Sequence, residues 1–187
     1  DGTCLAGTRG GWRCKHVSSP LPQRRFAMDP PKPFHHATFL RDLEQFVAGG
    51  SCPASCSPEL AAILRTPGVD ARPSPAASQL VRLLHARKAV LKAAFDTGQV
   101  ADELRRHQKF ARPGQPSPHI VQLRQQQAAA RQASSQSRQL LIQSAAAFVR
   151  EAGIVPPARL ALEVFIDGWM EAGLPKEPGT PEAGTPG

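Results

Sequence analysis

One stretch decides the fold of this chain: residues 119–152, HIVQLRQQQAAARQASSQSRQLLIQSAAAFVREA. It contains neither proline nor glycine, and alanine, glutamine, serine, arginine and leucine dominate it. Pro118 precedes it and Gly153 follows it, which are typical residues at the start and just beyond the end of a helix. The pattern therefore predicts one helix of up to 34 residues, about 50 Å long.

The side chains of this helix follow two series with a repeat of seven. The series are Ile120, Gln127, Ser134, Leu141, Phe148 and Leu123, Ala130, Ser137, Ser144. Large apolar groups occur only at the ends, whereas a regular coiled coil requires them at both positions throughout. The polar or small middle, residues 125–137, is either a solvated span, which we prefer, or a place where small side chains admit another helix closely.

A shorter and more apolar helix is predicted for residues 158–173. Its charges fall on one stripe at intervals of four: Arg159, Glu163, Asp167 and Glu171. Because the remaining surface is apolar, this helix must be nearly surrounded. It is either the central helix of the protein's own bundle or a helix that also docks on a partner. In the second case the partner-binding residues are Leu162, Phe165, Ile166 and Trp169, with the two aromatic side chains as anchors.

The remaining helix signals lie upstream. Apolar periodicity predicts a helix over residues 37–48, and Ser57-Pro58 starts a short one that ends at Pro67-Gly68. Ser74-Pro75 starts a helix of about twenty residues, which Gly98 interrupts before a further helix runs to about residue 111. No segment shows sustained alternation. The fold class is all-α, a small helical bundle with one long helix and disordered termini.

The composition divides the chain into three parts. Residues 1–34 form a basic, disordered segment, 35–173 the helical domain, and 174–187 a disordered tail rich in proline and glycine. Residues 1–27 are either non-native or upstream sequence preceding Met28, a disordered basic tail, or the remnant of a mitochondrial presequence.

Charge is distributed unevenly along the chain, whose net charge is +8. Residues 72–150 contain thirteen basic and three acidic residues, whereas 151–187 contain two basic and six acidic ones. Arg124, Arg131 and Arg138 recur every seven residues and form a basic face on the long helix. Such a face can bind nucleic acid or an acidic protein surface, and the acidic C-terminal helix can also neutralise part of the positive charge.

No catalytic, phosphate-binding or metal-binding motif is found. We interpret His85 and His107 as solvated or core-edge residues, and Cys52 and Cys56 as reduced thiols in a loop. No enzymatic activity, cofactor, metal or small-molecule substrate is expected. No run of 18 apolar residues predicts a membrane-spanning helix.

These observations favour a non-enzymatic helical interaction or scaffold subunit of a larger protein assembly, in the cytoplasm or nucleus. A basic accessory protein that binds RNA or DNA through its arginine-rich helical face is the alternative. The third possibility is a mitochondrial matrix assembly factor.

Overall fold

The computed structural model describes residues 32–68, 72–109 and 117–177, and five helices lie within them. In chain order these are α1 (Ala37–Val47), α2 (Pro58–Leu64), α3 (Pro75–Lys109), α4 (Pro118–Glu151) and α5 (Leu162–Gly173). The described residues contain no β-strand, which confirms the all-α class and its long helix. The expected disorder of the termini falls largely on residues 1–31 and 178–187, which lie outside the described residues.

Helices α3 and α4 form an antiparallel pair of almost equal length, 35 and 34 residues. Near the middle of the pair, the Thr97 hydroxyl of α3 donates to the Ala130 carbonyl of α4 at 3.3 Å. At one end, His107 of α3 meets His119 of α4. Every residue of the two heptad series on α4 is buried or half-buried, so the repeat read from the sequence defines the packed side of this helix.

The middle of α4 differs from the solvated span that we preferred. Ala130 and Ser134 are half-buried there, and Ser137 is 7% exposed. A side chain on α3 reaches a backbone carbonyl of α4 only where intervening side chains are small, as the Thr97 bond to Ala130 requires. Close helix approach therefore occurs on this side of α4, and only the remaining sides are solvated.

The expected interruption at Gly98 is wrong, because α3 continues unbroken from Pro75 to Lys109. A glycine inside a helix costs about 1 kcal/mol relative to alanine. Thr97, just before this glycine, contacts Ala130 of α4. Leu104, beyond the glycine, packs in a buried cluster with two residues of α4, Ile120 and Leu123. Tertiary packing thus outweighs a weak local preference, and the bundle has a second long helix.

Gly98 offers a stabilising substitution. It has no helix-breaking backbone conformation, and an added Cβ would have no atom within 4 Å. Gly98→Ala is expected to raise the free energy of unfolding by about 0.5–1 kcal/mol, because alanine loses less backbone entropy on folding. Urea denaturation followed by circular dichroism measures the change. Gly153→Ala is the matched control and should destabilise instead, since Gly153 has a φ of +66°.

The main core lies where α1 and α2 meet one end of the α3–α4 pair and α5. Its fully buried side chains are Leu43, Phe46, Leu64, Leu80, Leu83, Leu84, Leu141, Phe148 and Ile166. A smaller cluster of Leu104, Ile120 and Leu123 lies at the opposite end of the pair. The two clusters fix the relative position of α3 and α4 at both ends. Side chains at these ends, such as His107 and His119, are therefore held close to each other.

Packed residues extend past residue 173, where the tail was expected to begin. Leu174 is 5% exposed. The Glu177 backbone N–H donates to the His35 carbonyl at 2.8 Å. The Glu177 carboxylate accepts from the Thr38 N–H at 2.9 Å and from its hydroxyl at 2.6 Å. Because His36 supplies no side-chain cap to α1, this distant carboxylate satisfies the first turn instead.

The Glu177 contact predicts a pH-dependent contribution to stability. Donation by the Thr38 hydroxyl and N–H lowers the pKa of Glu177. A carboxyl whose pKa is lowered by folding stabilises the protein above its unfolded-state pKa and loses that effect as the pH falls. Glu177→Gln should therefore lower the melting temperature at neutral pH, and the difference should begin to shrink near about pH 4 and vanish as the pH falls through the lowered pKa of Glu177. Equal melting temperatures at pH 7 would contradict this, and Glu151→Gln serves as the surface control.

Candidate interaction surface

Helix α5 lies against the protein's own core. Ile166 is fully buried, and the Trp169 ring lies 4.9 Å from the Phe148 ring of α4, centroid to centroid, at 53°. Leu162, Phe165 and Trp169 are half-buried and pack against the same core. Of the four residues predicted to bind a partner, Ile166 offers no surface and the others offer only part of theirs. This packing agrees with α5 as a helix of the protein's own bundle, and partner binding by its exposed edge stays a prediction.

The start of α5 is later than the sequence indicates. The helix begins at Leu162, and residues 158–160 form a turn instead of its first turn. Ala161 precedes the helix in an extended conformation and has no side-chain oxygen that could cap an earlier start. Arg159 therefore lies outside α5, and the charged stripe consists of its three acidic members alone.

Two of these acidic residues join α5 to both long helices. The Arg138 Nη2 group of α4 donates to both carboxylate oxygens of Glu163 at 3.1 Å. The Asp167 Oδ1 atom lies 3.1 Å from Arg87 Nη1 of α3. As one of the possibilities in the sequence analysis suggested, the acidic helix therefore neutralises part of the basic region, at these two arginines. Arg138, which we expected on an open basic face, is therefore already paired with Glu163 of the same chain.

Burial and hydrogen bonding shift the pKa values of two of these charged groups. Partial burial raises the pKa of Asp167, and the neighbouring Arg87 offsets only part of that effect. Hydrogen bonds to Glu163 raise the pKa of Arg138, which stays charged. An exposed pair such as Arg138–Glu163 contributes little to stability. The pair shows that the first turn of α5 lies against α4.

The basic face of α4 continues beyond the part that α5 covers. Val121 and Ile142 lie on the same side of α4 as the arginines of the basic face, because intervals of three, four and seven residues separate the five side chains. Arg138 is paired with α5. Arg124 and Arg131 are exposed and form no ion pair with another described residue. Val121 and Ile142 are each 42% exposed, so apolar surface borders the free arginines at both ends.

Further apolar side chains are exposed on the segment that leads into α5. Val155 is 88% exposed, Leu160 48% and Val164 59%. Single exposed apolar side chains are common on folded proteins. These three lie within ten residues of one another, and Val164 directly follows Glu163 at the covered end of the basic face. Together they add exposed apolar surface to the segment that leads into α5 and to its first turn.

The Cys52–Cys56 pair has the properties of buried thiols. Both cysteines are free, half-buried and packed against the main core. Burial, together with the neighbouring Cys52, raises the pKa of Cys56 to about 12. A thiol needs to ionise to act as a nucleophile or a metal ligand. Ionisation of the Cys56 thiol, and with it the reactivity of that thiol, is therefore suppressed at neutral pH. Cys4 and Cys14 lie outside the described residues.

A cleft of about 240 Å³ lies between α5, α3 and the segment before α1. Its charged lining residues are mostly paired with one another or with neighbours, as Arg87 is with Asp167 and Glu171 with Lys176 at 2.8 Å. Self-neutralised charges leave little that would recognise a charged ligand. We assign this cleft to the packing of α5.

One cluster was not found by sequence reasoning. Glu103, His107 and His119 lie together at the end of the α3–α4 pair. The sequence shows Glu103 and His107 four residues apart, which is a usable signal for one side of a helix. His119 lies on the next helix, and only the antiparallel pairing brings it close. His85, the other histidine considered, is paired with Glu44 of α1 at 2.6 Å instead.

Comparison with protein-family models, curated proteins and solved structures gave no match to this chain. None of the helices in the described residues has the length and apolarity that crossing a membrane requires. In its described residues the molecule is an all-α bundle built on a long antiparallel pair of helices.

Proposed function

We propose that this protein is a non-enzymatic helical interaction subunit, which binds an acidic, amphipathic helix of a partner protein along the basic face of α4. The observation that carries the proposal is the contact between Glu163 and Arg138, because the chain's own acidic helix already docks on one end of that face. Arg124 and Arg131 repeat the same chemistry two and one heptads away, where no described helix covers them.

The energetics assign different roles to the two kinds of side chain. An exposed ion pair contributes at most about 1 kcal/mol, so the arginines by themselves give little affinity. Burial of the exposed parts of Val121 and Ile142, which lie on the same side of α4 as the arginines, supplies the larger share, at about 25 cal/mol per Å². The arginines select an acidic partner and accelerate association. A partner helix with an acidic stripe and an apolar edge, such as α5 itself has, fits both requirements.

The test compares two charge-reversal variants of the full chain. Arg124→Glu/Arg131→Glu changes the basic face, and Arg82→Glu/Lys88→Glu changes two exposed residues of α3 by the same charge. Tagged proteins are purified from cells with nuclease and moderate salt, and stoichiometric partners are quantified by mass spectrometry. The first variant should lose a partner that the wild type and the second variant retain, by at least about tenfold.

Other outcomes of this experiment would contradict the proposal. Retention of the partner by both variants would mean that the basic face does not bind it. Equal loss from both variants would mean that net charge, not this face, is recognised. Circular dichroism of each variant should match the wild type, so that loss of the fold is not mistaken for loss of binding.

Exposed Arg124 and Arg131 also favour the second candidate function, an accessory protein that binds RNA or DNA. A nucleic-acid complex would be removed by the nuclease treatment, and its affinity would fall steeply with salt. A complex held by helix packing would survive both. Residence in the cytoplasm or nucleus belongs to the first proposal. The third candidate, a mitochondrial matrix assembly factor, depends on residues 1–27, which lie outside the described residues.

A further inference from the structure

Three potential metal ligands meet where α3 ends and α4 begins. Glu103 and His107 lie one turn apart on α3, and His119 is the second residue of α4. One ligand atom from each residue lies within 4.8 Å of the others. The Nε2 atoms of the two histidines are 3.2 Å apart, and their ring centroids are 4.3 Å apart at an angle of 79°.

This spacing matches a tetrahedral metal site. Two imidazole nitrogens bound to one zinc ion at its usual bond length are about 3.3 Å from each other. The histidine nitrogens already have this separation, but their ring centroids, 4.3 Å apart, are closer than the roughly 5 Å of two imidazoles that both point at one ion, so the rings must turn about their own side-chain bonds to bind it. The Glu103 side chain needs only to approach by rotation about its own bonds. All three residues are exposed, which leaves an entry path and a fourth position for water.

The surrounding fold holds the two helices in this arrangement. Leu104, Ile120 and Leu123 form the smaller buried cluster, and each is a neighbour in sequence of a ligand or lies one turn beyond it. The Ser117 hydroxyl accepts from the Ile120 N–H at 3.4 Å and fixes the first turn of α4. Ligands mounted on rigid, packed helices are held in place before the ion arrives.

We propose that Glu103, His107 and His119 bind a divalent transition-metal ion, with Zn²⁺ as the expected occupant. Imidazole nitrogen suits zinc, copper and nickel, whereas calcium and magnesium prefer sites built entirely from oxygen. A bound ion would join the end of α3 to the start of α4. Because the ion binds only the folded arrangement, it would stabilise the α3–α4 pair.

Two features of the surroundings oppose metal binding: nearby positive charge and the contact between the two histidines. Arg106, one turn beyond Glu103 on α3 and next to His107 in sequence, adds positive charge near the cluster. Two neutral histidines can also bind each other, with one Nε2–H donating to the other nitrogen, in the absence of metal. Metal must therefore displace a hydrogen bond as well as overcome local positive charge, and Glu103 supplies the compensating negative charge.

The experiment uses the full chain without a polyhistidine tag, treated with a chelator and then dialysed. ZnCl₂ is titrated by calorimetry, and CoCl₂ by the visible absorption of tetrahedral cobalt. The wild type should bind a single ion per chain and melt at a higher temperature with Zn²⁺. His119→Ala should abolish binding, and Glu103→Gln should weaken it by about tenfold. His85→Ala, which alters a histidine on the same helix, should bind as the wild type does.

Three results would overturn the proposal. The first is absence of binding by the wild type at millimolar Zn²⁺. The second is unchanged binding by His119→Ala. The third is loss of binding in Cys52→Ser/Cys56→Ser, which would assign the ion to the thiols. Each variant is checked by circular dichroism. Because Glu103 is an exposed residue and its substitution to glutamine keeps the helix, its effect on affinity distinguishes ligation from loss of fold even if His119→Ala is destabilised.

Discussion

Phe148→Ala is expected to lower the free energy of unfolding by about 3–5 kcal/mol, as is usual when a buried aromatic ring is truncated. Phe148 is fully buried on the packed side of α4. Its ring also contacts Trp169 of α5 at 4.9 Å. The substitution therefore leaves a cavity between two helices and removes an aromatic contact. Urea denaturation followed by circular dichroism measures the loss.

Domains of this size are stable by only about 5–15 kcal/mol, so Phe148→Ala removes a large share of the total. Val155→Ala provides the control, because Val155 is 88% exposed and its truncation should change stability by less than about 0.5 kcal/mol. A loss below about 1 kcal/mol in Phe148→Ala would show that α4 and α5 do not pack through this side chain.

Trp169→Glu is expected to release α5 from the bundle and to destabilise the protein by about 3 kcal/mol or more. Trp169 is half-buried against the core, so the new carboxylate would lose both the ring's apolar contacts and part of its own hydration. Limited proteolysis of the segment before α5, together with urea denaturation, measures the release.

Val164→Glu separates the two interpretations of α5. Val164 is 59% exposed, so this change should leave stability almost unaltered. Loss of a partner from Val164→Glu with the fold intact would identify the exposed edge of α5 as part of the binding surface. If Trp169→Glu itself folded normally and lost only a partner, α5 would be a docking helix and its assignment to the core would be wrong.

The helix boundaries were predictable because they depend on local chemistry. Ser57 and Ser74 each precede a proline, and their hydroxyls accept the N–H groups of Leu60 at 3.2 Å and Ala77 at 3.3 Å. Such caps form between residues three apart in sequence and need no information from the rest of the fold. The missed start of α5 has the same origin, since Ala161 provides no capping side chain.

The continuity of α3 and the position of the charged residues were not predictable in this way. Gly98 weakens a helix locally, and the pairing with α4 outweighs that weakness. Arg138 looks like any other member of the basic series in sequence, yet α5 occupies it and leaves Arg124 uncovered. Which arginines stay unpaired depends on where α5 packs, and its Glu163 lies 25 residues from Arg138 in the sequence.

The sequence by itself determined the all-α class, the extent of α4 and, at the two ends of α4, the side on which it packs, because prolines, glycines and a seven-residue repeat act over a few residues. Only the tertiary structure decided that α5 lies on the protein's own core and that His107 meets His119. The physical reason is that apolar periodicity shows which side of a helix is buried but carries no record of what buries it. Contacts between helices depend on loop closure and on the summed packing of the whole bundle.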